Sequence, residues 1–232
     1  MNSNIKQLFL ILLLIFPIFC WGQGIVTRNT SKHLNPSKKT IVTSGVENGY
    51  EWIDLGLPSG TKWAIHNIGA TSPEGFGKYF AWGELSESTK NTYENYPNTT
   101  ACKENTDYSG KENLDAATQI WGERWITPNL QNIQELLSCC KIEWSELNGY
   151  NGVTVTGPNG KTLFFPAAGM KTSDQYHWNP QLYGAYWVST PSYTDTRYAR
   201  MFLFEKSSYN PGINAHECWK AFATPIRPIL KK

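Results

Sequence analysis

The sequence predicts an α+β domain, built from antiparallel sheets with two short helices. Three observations predict it. Short β-prone runs are separated by Gly, Pro and Asn turns, two helical stretches sit together in the middle of the chain, and strands come before and after those helices instead of alternating with them.

The opening residues stand apart from this pattern. Lys6 supplies a positive charge, Leu8 to Phe19 is an apolar run, and Cys20-Trp21-Gly22 places small residues at the −3 and −1 positions of a cut before Gln23. These features predict a signal peptide over residues 1–22 and an exported protein, secreted or held at the outer cell surface. The run is shorter than the roughly 20 residues of a membrane-spanning helix. No later stretch is long and apolar enough, so no transmembrane segment is expected after the cut. An uncleaved anchor is the first alternative, and acylation of Cys20 the second, although bulky Phe19 suits that cut poorly. Residues 23–47 are rich in Ser, Thr, Lys and Asn without a sustained period, and read as a flexible linker before a domain over residues 48–232.

Within the domain, Glu51 to Leu55 alternates polar and apolar as a half-buried strand does, and Leu57-Pro58-Ser59-Gly60 is a turn. Trp63 to Ile68 and Tyr79 to Trp82 are the next strands. Asp115 to Trp121 is a short helix, its acid suited to the positive end of the dipole and Gly122 to its stop. Thr127-Pro128-Asn129 opens a second helix, with Leu130, Ile133, Leu136 and Leu137 as an apolar stripe against a sheet. Val153 to Thr156 and Thr162 to Phe165 flank Gly157-Pro158-Asn159-Gly160, a hairpin signal because Asn-Gly tolerates positive φ. Tyr186 to Thr190, Ala199 to Phe204 and Phe222 to Ile226 complete the strands. Pro225 and Pro228 suit the last of them to a sheet edge.

Composition narrows the function classes. Lys and Arg number 21 against 19 Asp and Glu, with no basic stripe. That balance argues against nucleic acid, which is held by neutralising phosphates. Aromatics reach 14% while charged residues stop at 17%, which suits a core of large rings first and an aromatic binding surface second. Cys102, Cys139, Cys140 and Cys218 follow the cut. Adjacent Cys139 and Cys140 do not readily bridge each other, so any disulfide would run to Cys102 or Cys218. No Cys-x-x-Cys occurs and His33, His66, His177 and His216 are scattered, so neither metal nor cofactor is expected.

Taken in order, several segments closely resemble the Fibrobacter succinogenes major paralogous domain family. They are Asp54 to Thr61 with Trp63-Ala64 and Asn67 to Ala70, Tyr79 to Glu84, Asp115-Ala116-Ala117 with Trp121-Gly122, and Trp125 ahead of Pro128. The series continues through Gly152 to Gly160, Phe165 to Gly169, Gly184 with Tyr186-Trp187 and Ser189-Thr190, and Ile226-Arg227-Pro228, and so covers roughly residues 50–230. The resemblance implies a C-type-lectin-like fold, distantly similar to the formylglycine-generating enzyme, in an exported module of Bacteroidetes-type organisms. Asn129 and Asn132 stand where the family usually has Thr and Glu, which implies a weakened reciprocal cap on the second helix. His66 replaces a common Cys, so the family's cysteine pairing does not carry over, and Lys220 and Ala223 replace the usual Arg and Gly.

Three function classes make different demands on the residues. Calcium-dependent sugar binding needs converging oxygens, and none of the Glu-Pro-Asn, Gln-Pro-Asp or Trp-Asn-Asp tripeptides occurs; Asp174, Asp195 and Glu205 are scattered. Catalysis would fall to His216-Glu217-Cys218, to Cys139 and Cys140, or to Glu84, Glu87 and Glu94, and none has the spacing of a nucleophile and its base. Recognition by aromatic loops is preferred. Asp174 to Leu182, Ser192 to Arg197 and Ser207 to Trp219 read as loops on one face, where rings give contact area at small entropic cost. Trp178, Tyr193 and Tyr209 are the expected stacking anchors, Arg197 a charge-assisted donor and Asn210 a polar selector. The expected partner is a protein or glycan at a cell surface, the expected role non-catalytic, and a structural or adhesive envelope component is the alternative.

Overall fold

The computed structural model describes residues 43–87, 103–173, 176–206 and 213–232. Its first hairpin joins β1 (Ser44–Glu47) to β2 (Tyr50–Asp54) through Asn48 and Gly49, at φ 49° and 83°. Two consecutive positive φ values define the short turn whose twist matches paired strands. β1 thus lies inside the tract read as linker; with Val46 its one apolar side chain, it carries no alternation to betray it. β3 (Lys62–Ala64) and β4 (Phe80–Ala81) follow, both shorter than the runs around them suggested.

The helices fall where expected. α1 (Ala116–Trp121) is capped by Asp115, whose carboxylate accepts from the amides of Ala117, Gly110 and Thr127 and from the Thr127 hydroxyl, at 2.7–3.0 Å. Burial pushes its pKa up, and those four bonds oppose the shift. After β5 (Trp125–Ile126), α2 (Leu130–Cys139) opens on Asn129. Both halves of the reciprocal cap are made here. The Asn129 Oδ1 accepts from the Asn132 amide at 3.2 Å, and the Asn132 Oδ1 from the Asn129 amide at 2.9 Å. The shorter side chain therefore still reaches, contrary to the implied weakening.

β6 (Lys141–Leu147), β7 (Tyr150–Thr156) and β8 (Thr162–Pro166) form a three-stranded meander. Its first turn is Asn148-Gly149, at φ 50° and 83°. In the second turn only Gly160 is at positive φ; Asn159 instead accepts from the Lys161 amide at 3.0 Å. β9 (Met170–Ser173) and β10 (Tyr176–Trp178) pair with each other, and β11 (Tyr183–Pro191), β12 (Tyr198–Glu205) and β13 (Ile213–Trp219) make a second meander. β10 and β13 occupy stretches expected to be loop. β13 pairs with β12 over seven registered positions, and its polar, half-exposed faces hide the period.

The last strands are interior, correcting the edge expectation. β14 (Ala223–Thr224) lies between β9 and β4, and β15 (Ile229–Leu230) between β3 and β5. Each is two residues long, so Pro225 and Pro228 fall between them and no ladder donor is lost. The result is a set of antiparallel sheets with two short helices, the α+β architecture expected. No described helix is long and apolar enough to cross a membrane.

Rings fill two core clusters. Trp82, Trp121, Trp125, Trp187 and Phe80 belong to one; Trp63, Phe165, Tyr186, Phe202, Phe204 and the α2 residues Ile133 and Leu136 belong to the other. Buried indoles need acceptors. Trp82, Trp187 and Trp125 find them in the carbonyls of Val188, Phe80 and Glu47 at 2.8–3.0 Å. Arg227, 1% exposed, ties three segments together. Its Nε donates to Asn67 Oδ1 at 2.7 Å, and its Nη1 to the carbonyls of Ile65, Phe164 and Ala64 at 3.0–3.3 Å. The guanidinium lies 4.7 Å from the Phe165 ring centre. Burial pulls its pKa down to about 10, which leaves it charged at neutral pH.

Candidate functional site

Short-range bonds fix the connection between β11 and β12. The Ser192 amide donates to the Tyr198 carbonyl and the Tyr198 amide to the Asp195 carbonyl, both at 3.0 Å. The Ser192 Oγ accepts from the amides of Thr194 and Asp195, a local side-chain turn. Asp195 then receives Arg197 three ways: its amide at 2.9 Å, Nε at 3.0 Å and Nη2 at 2.6 Å. Those bonds hold the carboxyl down at about 2. The guanidinium also lies over Trp219, 5.7 Å from its ring centre, while the Trp219 indole donates to the Tyr198 hydroxyl. On this pinned loop Tyr193 is 80% exposed, the most exposed large hydrophobic side chain described.

Trp178 is differently placed. It lies parallel to Tyr183, ring centres 5.5 Å apart, and is 38% exposed. Tyr183 begins β11, whereas the Tyr193 loop follows its end at Pro191. Measured along β12, Glu205 opposite Tyr183 and Ala199 opposite Pro191 are six steps, or about 20 Å, apart. Tyr193 and Arg197 therefore share one loop, and Trp178 is set at the other end of the strand. Tyr209 and Asn210 lie outside the described residues.

The groups considered for chemistry are engaged separately. Glu217 pairs with Arg200 across the β12–β13 ladder at 2.8 Å, Cys218 is packed against the first core cluster, and burial pushes its thiol up to about 11. Cys139, Cys140 and Cys218 carry free thiols, so no disulfide joins Cys218 to Cys139 or Cys140. Glu87 approaches Lys78 to 4.0 Å; Glu84 is half-buried, which raises its pKa; Glu94, Asp174 and Cys102 lie outside the described residues. Asp195 and Glu205 flank opposite ends of β12. Among the described residues no three His, Cys, Asp or Glu side chains gather at one point.

One feature escaped the sequence. A cleft of about 440 Å³ opens between the Leu57–Thr61 turn and the first turns of α2. Glu135 on α2 accepts from the Ser59 amide at 2.7 Å and from its hydroxyl at 2.5 Å. Its walls come from segments far apart in the chain, so no local motif announces it.

Fold and loop together define a mostly antiparallel α+β protein that presents a tyrosine on a hydrogen-bonded turn. No family model, curated protein or solved structure matches the chain.

Proposed function

We propose that the chain is an exported, non-catalytic recognition module that binds a protein or glycan at a cell surface through the loop carrying Tyr193 and Arg197. The ordered motif series over residues 50–230 supports membership of the Fibrobacter succinogenes major paralogous domain family and a C-type-lectin-like arrangement of the sheets. The observation that carries the reading is the exposed Tyr193 ring on a backbone already fixed by Ser192, Asp195 and Tyr198. A ring presented this way gives contact area without the ordering cost of a floppy loop. Arg197 adds a guanidinium held by Asp195, with Nη1 unengaged by any described residue.

Glycan arrays and whole-cell pull-down with the purified protein test this. Tyr193→Ala is expected to weaken capture about tenfold or more, as loss of a central aromatic anchor does. Undiminished capture by that variant would contradict the proposal.

A further inference from the structure

The cleft beside α2 is independent of the Tyr193 loop in its chemistry, and its polar atoms can be sorted one by one. Glu135 is oriented from one side by Ser59. A carboxylate has about four lone-pair directions, so two remain for a donor in the cleft. Thr61 adds a hydroxyl 2.6 Å from Ser59 Oγ. Ser109 gives its proton to the Thr127 carbonyl at 2.7 Å, so among the lining groups its oxygen is left only as an acceptor.

The donors are set just as firmly. In Asn129 and Asn132 the side-chain oxygens are committed to backbone amides by the helix cap. That commitment fixes which end of each amide is nitrogen. Neither NH₂ group has a partner among the described residues, and both residues line the cleft. Gln131 adds an exposed amide and Lys232 an exposed ammonium, and the aliphatic part of the lining comes from Ile126, Ile229 and Leu230.

This pattern sorts the ligand classes. A cation would meet the Lys232 ammonium and the amide NH₂ groups beside Glu135, and an anion would meet the Glu135 carboxylate, so the two opposite charges of the lining balance. No aromatic ring lines the cleft for a flat heterocycle to stack on. What fits is a neutral molecule that both donates and accepts along one face and offers C–H groups along the other. The volume lies within the roughly 300–1,000 Å³ of small-molecule sites. We propose that this cleft binds a neutral polyhydroxylated ligand of the chemical class of a sugar ring.

Side-chain amide signals provide the test. The protein is titrated with glucose, galactose, mannose and N-acetylglucosamine while two-dimensional amide spectra are recorded. At least one sugar is expected to shift the side-chain NH₂ signals of Asn129, Gln131 and Asn132. Glu135→Gln keeps a carbonyl for Ser59 but loses the charge, and should weaken that sugar about tenfold. Gln131→Ala, at an exposed position, serves as a second variant if Glu135→Gln does not fold, and should also weaken binding. Tyr193→Ala should leave the shifts intact, so failure of the surface-recognition reading is distinguishable from failure of this one. The proposal is overturned if none of the four sugars moves those signals, if inorganic phosphate moves them instead, or if the cleft variants that fold bind like the parent.

Discussion

Arg227 and Arg197 carry the same guanidinium into opposite settings. Arg227 is sealed among carbonyls and the Phe165 ring, with no carboxylate paired to it among the described residues. Arg197 sits on an exposed turn, clasped by Asp195 and laid over Trp219. The first joins the Ala64–Asn67 segment to β8 and to the approach to β15; the second shapes the loop between β11 and β12. The difference teaches how one side-chain type is used twice: to close the buried hub, and to pin the turn on which recognition is proposed.

Breaking the hub should have the largest effect. Arg227→Met leaves Asn67 Oδ1 and three carbonyls short of a donor, at a cost on the order of 4 kcal/mol. Thermal unfolding should show a fall in Tm of about 10 °C for a domain of this size. A Tm unchanged by this substitution would dissolve the contrast between the two arginines.

Trp178 sharpens the comparison from between the extremes. Its ring is part covered by Tyr183, so Trp178→Ala should cost about 1 kcal/mol, seen as roughly 3 °C in Tm. An unaltered Tm would return Trp178 to the class of free anchors.

Acid should act on the loop through Asp195. Asp195 titrates at about 2 in the fold against an ordinary 3.8, chiefly because the Arg197 side chain bonds its charged form. A depressed folded pKa stabilises above the unfolded value and loses that contribution as pH falls through the folded one. The Arg197 Nε signal should therefore hold its position down to pH 3.8 and move as pH approaches 2. Movement well above that window would mean that the pair does not form.

The sequence was most legible where one residue type does one job. Asp115 and Asn129 announced the two helix starts, and the rings of β11 and β12 announced the core. It was least legible at edges. Lys141 to Ser145 alternates polar and apolar, and Asn148-Gly149 is the same turn signal read at Asn159-Gly160, but Glu146 breaks the period of β6 before the turn. Ile213 to Trp219 hid its period because both faces carry polar or half-exposed groups. The site divides similarly. Tyr193 and Arg197 could be picked as loop residues, but the length of β11, which parts them from Trp178, is a property of pairing. The Ser59–Glu135 cleft joins residues 76 apart, and only the fold brings them together.

The central claim is that Tyr193 belongs to a surface the fold does not depend on. Thermal unfolding and partner capture measured on one Tyr193→Ala sample test it most directly. The account requires a Tm shift equivalent to less than about 0.5 kcal/mol, together with lost capture. A Tm that falls as far as that of Trp178→Ala, or capture that persists, would contradict it.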